Sequence, residues 1–216
     1  MKKVNSIITW TLPITFSGFI ICFAILFSLY FKGLYYWEID YLSIPQSTQI
    51  DKREIKQNYD VLIDYMTNEK VEKLVFPSFG MSPEGEIHFQ DVKVIFTFIQ
   101  KTMYILGIYS LLGILINLKQ SRYQFLKHTA IGILAGPLGL VALAMIDFDK
   151  SFVIFHHIAF SNDYWIFDPA IDPVIMILPQ AFFLHSFLLI VGIILITALI
   201  LMVLYKIANK QTNNLI

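Results

Sequence analysis

Four long apolar runs divide the sequence, at residues 7–31, 94–118, 129–146 and 182–205. Each run is close to the roughly 20 residues that an α-helix needs to cross the hydrocarbon core of a bilayer. The mean hydropathy of +0.65 and the hydrophobic fraction of 56% are far from those of a soluble globular domain. The sequence therefore predicts an all-α integral membrane protein with four transmembrane helices, in which residues 1–216 form a single membrane domain.

The distribution of charge indicates which connectors face the cytoplasm. The N-terminus, the short second connector and the C-terminal tail contain basic residues but no Asp or Glu, whereas all 16 acidic residues lie in or beside the first and third connectors. Cytoplasmic segments of membrane proteins carry an excess of Lys and Arg. We therefore expect a cell-membrane protein with both termini in the cytoplasm. Its small extracellular cap would be built from residues 32–93 and 147–181.

The first long connector contains two predicted helices. Asp51 resembles an N-cap, and apolar residues at helical spacing follow it to give one apolar face. Ser82-Pro83 then resembles an N-cap followed by proline at the first helical position, which predicts a helix running unbroken into the second span. His88 lies six residues before the apolar run, about 9 Å from it along a helix.

The third connector is dense in aromatic and titratable residues. The stretch 155–183 holds a histidine pair, Asn162, two Asp-Pro steps and seven aromatic side chains within 29 residues. Residues 152–159 could form a short helix, and Ser161 to Asp163 should turn the chain. Asp172-Pro173 resembles a further cap and helix start. In the third apolar run, Gly132, Gly136, Pro137 and Gly139 favour close helix packing and a kink.

The residue types in the two long connectors favour proton transfer. Imidazole is the side chain best suited to move protons near neutral pH, and His88, His156 and His157 all lie in these connectors. A convincing nucleophilic serine is absent from both, since Ser82 is better explained as a cap and Ser161 as a turn residue. Imidazoles with nearby carboxylates could instead bind zinc, but nothing in their spacing requires a metal. The single cysteine, Cys22, excludes an intramolecular disulfide, and the sequence has no basic patch for nucleic acid.

Two ordered motifs carry a resemblance to a known family. The first is E-x-H-x-x-D-V-K, and the second is F-H-x-I-x-F-x-N-x-x-W followed by D-P-x-x-D and L-P-x-x-F-F. In this sequence they comprise Glu86, His88, Asp91, Val92 and Lys93, then Phe155, His156, Ile158, Phe160, Asn162, Trp165, Asp168, Pro169, Asp172, Leu178, Pro179, Phe182 and Phe183. With the order and length of the spans, they resemble the bacterial lipoprotein intramolecular transacylases called Lit.

This resemblance implies a membrane acyltransferase of Gram-positive bacteria that modifies diacylated lipoproteins. Such enzymes move the sn-2 acyl chain of a diacylglyceryl-cysteine to the α-amino group of the same cysteine, which leaves an N-acyl lyso-lipoprotein. Because the substrate amine is the nucleophile, neither a serine nor a cofactor is required. One histidine would act as base, and another would stabilise the intermediate and protonate the leaving oxygen.

The resemblance also implies roles for individual residues. His88 is expected to be one catalytic histidine, and His156 or the adjacent His157 the other. Residues expected to orient groups or stabilise the oxyanion are Asp91, Asn162 and Glu86, and those expected to form the walls of the substrate chamber are Tyr164, Trp165, Phe155 and Phe160. Membrane lipid is an expected partner beside the lipoprotein substrate. Two alternatives remain: a zinc-dependent membrane hydrolase, and a scaffold that binds lipoproteins without catalysis.

Overall fold

The computed structural model describes residues 2–135, 141 and 146–213, and the regular secondary structure in this part is helical. These residues contain no β-strand. The helices in chain order are α1 (Lys2–Tyr30), α2 (Lys32–Tyr41), α3 (Ile44–Thr48), α4 (Lys52–Thr67), α5 (Pro83–Lys119), α6 (Gln124–Ala135), α7 (Phe148–Ala159), α8 (Val174–Ile177) and α9 (Gln180–Asn213). The predicted all-α class is confirmed over these ranges.

Three segments within the described ranges are long and apolar enough to cross a membrane, namely Ile7–Tyr30, Pro83–Lys119 and Gln180–Gln211. They contain or closely match three of the four predicted spans. The third predicted span, 129–146, begins within α6, but residues 136–140 and 142–145 are not among those described. The predicted packing and kink at Gly136, Pro137 and Gly139 therefore lie outside the described residues. The chain is thus a membrane protein with three candidate spans in its described part.

The residues form two compact units, of which the first comprises the described parts of Met1–Leu26, Ile99–Ala142 and Leu189–Ile216. Its core contains small and branched apolar side chains from α1, α6 and α9, including Ala24, Ala130 and Ala198. Gly132 lies against α1, where a Cβ would lie only 2.6 Å from Ser17 Oγ. The prediction that Gly132 serves close packing is consistent with this contact.

The second unit, Phe27–Phe98 and Leu143–Leu188, holds every candidate site residue. Its hydrophobic core is built around α4, whose predicted apolar face is buried and packs on residues of α2, α5 and α8. The side chain of Asp51 accepts a hydrogen bond from Arg53 N at 2.8 Å, as expected for an N-cap. At the core centre, the ring of Tyr35 stacks on Tyr59 with centroids 3.6 Å apart. The N-terminal part of α5 packs on this core.

Candidate active site

Helix α5 holds His88 in a buried aromatic setting. The helix begins where the sequence predicts, because Ser82 Oγ accepts a hydrogen bond from Gly85 N at 2.9 Å and Pro83 occupies the first helical position. His88 is 6% exposed. Its ring lies 4.8 Å from that of Phe160 and 5.4 Å from that of Phe167, in edge-to-face arrangements. The imidazole is therefore shielded from solvent by side chains of the third connector.

Helix α7 places His156 on its buried face. Asp147 caps this helix by accepting a hydrogen bond from Lys150 N at 3.0 Å, and His156 follows in the last turn with 9% exposure. Its Nδ1 lies 2.7 Å from the carbonyl oxygen of Phe152, one turn earlier. A carbonyl can only accept, so Nδ1 carries the hydrogen and Nε2 of the neutral ring carries the lone pair.

The two buried imidazoles face each other across a short distance. The ring centroids of His88 and His156 are 6.1 Å apart. Phe160 contacts both rings, at 4.8 Å from His88 and 5.6 Å from His156. Trp165 lies on the ring of His156, with 4.7 Å between centroids. The structure thus brings together two residues that are distant in sequence, inside a wall of aromatic rings.

Burial changes the acidity of His156. Desolvation disfavours the charged imidazolium and lowers the pKa of His156 below the ordinary histidine value of 6.5. The hydrogen bond to Phe152 acts in the opposite direction, and the charge of His157 lowers the pKa further. His156 is therefore neutral at pH 7, with Nε2 able to accept a proton.

Asp91 and Asn162 also meet beside the histidines. Asn162 Nδ2 donates a hydrogen bond to Asp91 Oδ2 at 3.2 Å, and Asn162 Oδ1 accepts one from Tyr164 N at 3.1 Å. The second bond is the expected turn after Ser161. The amide of Asn162 therefore links the turn of the third connector to the helix that carries His88.

The other expected site residues are more exposed than the two histidines. His157 is exposed and forms a loose ion pair with Asp163, with 3.7 Å between Nδ1 and Oδ1. Glu86 is directed to Lys73, whose Nζ is 3.4 Å from Glu86 Oε1. Phe155 and Tyr164 are exposed, although the Phe155 ring approaches the His156 ring edge-on at 5.4 Å. The geometry therefore favours His156 over His157 as the partner of His88.

Two buried polar atoms at this site have no hydrogen-bond partner within the described ranges. They are Nδ1 of His88 and Nε1 of Trp165. A buried polar group left unpaired costs about 1–3 kcal/mol, so such atoms are available to a polar ligand. The indole nitrogen of Trp165 is a donor only, and it can serve an oxygen that gains negative charge.

Two long-range side-chain pairs were not predicted from the sequence. Asp172 does not cap α8, whose N-cap is Pro173. Its carboxylate instead accepts hydrogen bonds from Ser82, at 2.7 Å from the backbone nitrogen and 2.8 Å from Oγ. Glu38 of α2 is completely buried, and its Oε1 lies 2.7 Å from Nδ1 of His185 in α9. Local spacing cannot reveal such partners, because they are 90 and 147 residues apart.

A metal centre finds no support in the geometry. Within residues 2–135, 141 and 146–213, no three His, Cys, Asp or Glu side chains are grouped so that they could hold a metal ion. No observation in that part of the chain favours the zinc-dependent alternative.

Comparison with known proteins gives a consistent result. The family model described as lipoprotein intramolecular transacylase Lit matches residues 10–183. The solved structure of the membrane-integral lipoprotein intramolecular transacylase Lit from Bacillus cereus is 38% identical, covers 99% of each chain and has a TM-score of 0.94.

Two further structures of that Bacillus cereus protein, each with one histidine replaced, are similar as well. One carries arginine and the other alanine, and their TM-scores are 0.87 and 0.88 at 38% identity. The matches cover 98% of this chain and 95% and 96% of theirs. A search of curated proteins finds no match.

Proposed function

Because the chain belongs to the Lit family of lipoprotein intramolecular transacylases, we propose that it transfers an acyl chain within a diacylated lipoprotein. The chain moves from the sn-2 oxygen of the diacylglyceryl-cysteine to the α-amino group of the same cysteine. One observation carries the catalytic part of the proposal: two buried imidazoles, His88 and His156, lie 6.1 Å apart within aromatic rings, and one of them has a fixed tautomer.

His156 is the proposed base. Its Nδ1 is committed to the Phe152 carbonyl, so Nε2 takes the proton that the amine loses as nitrogen attacks the ester carbonyl. The lowered pKa keeps this nitrogen unprotonated at neutral pH. An α-ammonium must first lose one proton to solvent, and His156 accepts the second.

His88 is the proposed donor to the leaving group. As the tetrahedral intermediate collapses, His156 passes the amine proton to His88, the bond between carbonyl carbon and sn-2 oxygen breaks, and that oxygen takes the proton from His88. The amide has formed one C–N bond and the ester has lost one C–O bond, so no water is consumed. The proton that leaves the amine thus reaches the sn-2 oxygen through the two rings, and both rings end neutral, as they began.

The surroundings suit an intramolecular transfer. The intermediate carries a negative oxygen, which the unpaired Nε1 of Trp165 or the amide of Asn162 is available to stabilise. Aromatic rings of Phe160 and Trp165 would hold amine and ester together, and this matters because closing a flexible ring of atoms is entropically costly.

We further propose that the reaction occurs at the extracellular face of a protein with four spans. The support is the charge pattern, since the connectors that hold the histidines contain the acidic residues and the remaining segments hold only basic ones. The substrate has lipid chains in the bilayer and a peptide outside it, so chemistry at this boundary is expected.

Mass spectrometry of a reporter lipoprotein tests the proposal. The reporter is coexpressed with the chain in a host that makes diacyl lipoproteins, and its N-terminal lipopeptide is fragmented. Transfer leaves the total mass unchanged and moves one acyl chain from the glyceryl fragment to the amino-terminal fragment. A loss of one acyl chain with a gain of water would indicate hydrolysis instead, and an unchanged lipopeptide would indicate a scaffold.

Single substitutions assign the histidines in the same assay. We expect His88→Ala and His156→Ala to abolish most of the transfer, because general acid–base groups contribute about 10²- to 10⁴-fold in rate. The adjacent, exposed His157→Ala is the matched control and should retain transfer. Retention by His156→Ala with loss by His157→Ala would reverse the assignment.

A further inference from the structure

The buried carboxylate of Asp172 joins two parts of the candidate site. Asp172 is 3% exposed and lies in the third connector. Its Oδ1 accepts from Ser82 N at 2.7 Å, and its Oδ2 accepts from Ser82 Oγ at 2.8 Å. Both oxygens are thereby used at the residue that caps α5. Hydrogen bonds to an ionised carboxylate are short and about twice as strong as neutral ones, so this is a firm attachment.

Gly85 allows the connector to approach the helix closely. A Cβ at this position would lie 2.7 Å from Asp172 Oδ1 and 3.1 Å from Phe167 Cε1. Such distances leave no room for a side chain. Gly85 precedes His88 by three residues, so the two share one face of α5. The connector is therefore pressed against the face that presents the proposed catalytic imidazole.

The same stretch of connector supplies the groups around His88. Phe167 contacts the ring of His88 at 5.4 Å and stacks on Phe89 at 5.4 Å. Asn162 bonds Asp91 at 3.2 Å. The attachment at Asp172 and the bond at Asn162 thus fasten the connector at two points, one on each side of His88 along α5.

We infer that Asp172, acting through Ser82 and the side-chain-free surface of Gly85, is a positioning residue that fixes His88 relative to His156. This inference rests on the proposed function, because it assigns Asp172 a role only through the two histidines. Asp172 does not itself take or give a proton in the reaction. A displacement of about 1 Å between reacting groups can lower a rate roughly 10²-fold.

The first test compares two Asp→Asn variants of the full chain in detergent micelles. Asp172→Asn removes the carboxylate charge, and its Nδ2 keeps a bond to Ser82 Oγ only if the hydroxyl, which already accepts from Gly85 N, turns to accept a second hydrogen bond. Asp168→Asn is the matched control, since Asp168 is an exposed residue of the same connector whose Oδ1 accepts from Ala170 N at 2.9 Å. We expect kcat to fall about 10- to 100-fold in Asp172→Asn, with KM changed less than about threefold, and both to be unchanged in the control.

The second test is a double-substitution cycle with alanine at Gly85. Gly85→Ala alone drives a methyl group into Asp172 and should lower kcat about tenfold. In an Asp172→Ala background the 2.7 Å contact of that methyl group is gone, while those to Phe167 Cε1 at 3.1 Å and Ser82 Oγ at 3.2 Å remain, so the further loss from Gly85→Ala should be about two- to threefold. This non-additivity is expected for residues that act through one contact.

The outcomes separate this inference from the proposed function. An inactive wild-type chain overturns the proposed function and the inference with it. An active wild type that requires His88, together with an Asp172→Asn variant indistinguishable from Asp168→Asn, overturns the inference alone. An Asp172→Asn variant with a lower unfolding temperature but an unchanged kcat per folded molecule also overturns the inference alone. If that variant fails to fold, Ser82→Ala replaces it, and it must lower kcat at unchanged KM.

Discussion

The hydrogen bond from His156 to the Phe152 carbonyl sets the chemistry of that side chain. An imidazole free in solution exchanges its two neutral tautomers, and only one of them presents the lone pair at Nε2. The bond of 2.7 Å within α7 selects that tautomer. Burial lowers the pKa, and so the selected tautomer is also the populated ionisation state at pH 7. The residue is prepared as a base before substrate arrives.

The pH dependence of kcat follows from this state. The neutral form of His156 is active and protonation removes it, so kcat falls on the acid side as the pH drops through its pKa. Because burial lowers this pKa, we expect the acid limb below pH 6.5. Initial rates across pH 4 to 8, on the wild type in micelles, measure the limb.

A substitution at His157 tests whether this acid limb belongs to His156. Its charge lowers the pKa of His156, so His157→Gln should move the acid limb to higher pH while leaving the plateau rate in place. An acid limb above pH 6.5 in the wild type, or a shift to lower pH in the variant, would contradict the assignment of His156 as base.

At the scale of elements, contacts between helices distant in sequence hold the second unit together. Glu38 of α2 and His185 of α9 form one of them, with Glu38 fully buried and its Oε2 unpaired within the described part of the chain. Replacing His185 leaves the buried Glu38 carboxyl without its hydrogen-bond partner, whereas replacing Glu38 leaves the partly exposed His185 within reach of water. Replacing both partners with apolar residues of similar size avoids that penalty.

We therefore expect opposite outcomes for single and double substitutions of this pair. His185→Leu alone, which leaves the fully buried Glu38 carboxyl without its partner, should destabilise by about 1–3 kcal/mol, whereas Glu38→Leu with His185→Leu should recover most of the loss. Unfolding temperatures in matched micelles measure both. If the two single losses simply add in the double variant, the pair does not interact as the structure indicates.

Lys93 fastens a second segment to α5. Its Nζ donates to the carbonyls of Asn68, at 3.1 Å, and Val71, and it lies 4.2 Å from the centroid of the Tyr65 ring. Hydrogen bonds to a charged group are each worth about 1.5–3 kcal/mol. Lys93→Met should therefore raise the population in which residues 68–73 are detached roughly tenfold or more.

Trypsin measures this detachment, because the exposed Lys70 and Lys73 flank Val71. Cleavage after either lysine should accelerate by a similar factor in Lys93→Met. The control is Lys56→Met, which removes a lysine that lies 4.0 Å from the centroid of the Tyr36 ring. Equal cleavage rates in the two variants would show that Lys93 does not hold this segment.

Much of the element structure could be predicted from the sequence, because it depends on neighbouring residues. The caps at Asp51 and Ser82 and the apolar face of α4 are patterns within a few residues. The predicted cap at Asp172 is wrong, because Asp-Pro resembles a helix cap in the sequence whereas the Asp172 carboxylate accepts hydrogen bonds from Ser82. The choice between His156 and His157 also needed the fold, because only tertiary packing distinguishes the buried ring from its exposed neighbour.

At the scale of the whole molecule, the charge pattern predicts an orientation and the apolar runs predict the number of crossings. Three candidate spans lie in the described residues, and the remaining run, 129–146, includes 136–140 and 142–145 outside them. If the chain crosses the membrane there, Arg122 and Lys150 lie on opposite sides. That pair of positions therefore tests both the fourth span and the sidedness.

Single-cysteine labelling carries out this test. In a Cys22→Ser background, we expect Lys150→Cys and Lys70→Cys to react with a membrane-impermeant maleimide in intact cells. Arg122→Cys should react only after the cells are opened. Labelling of Arg122→Cys and Lys150→Cys together in intact cells would eliminate a crossing between them, and labelling of Arg122→Cys alone would invert the orientation.

The contact between Trp165 and His156 gives the molecule a built-in optical reporter. The rings lie 4.7 Å apart between centroids. An imidazolium at contact distance quenches indole fluorescence by accepting an electron, whereas a neutral imidazole does so far less. With Trp10 and Trp37 replaced by Phe, and with His157, whose ring lies 5.4 Å from that of Trp165, replaced by Gln, the emission of Trp165 should dim as His156 gains its proton. The ionisation of the proposed base can thus be followed by light alone, without turnover, label or substrate.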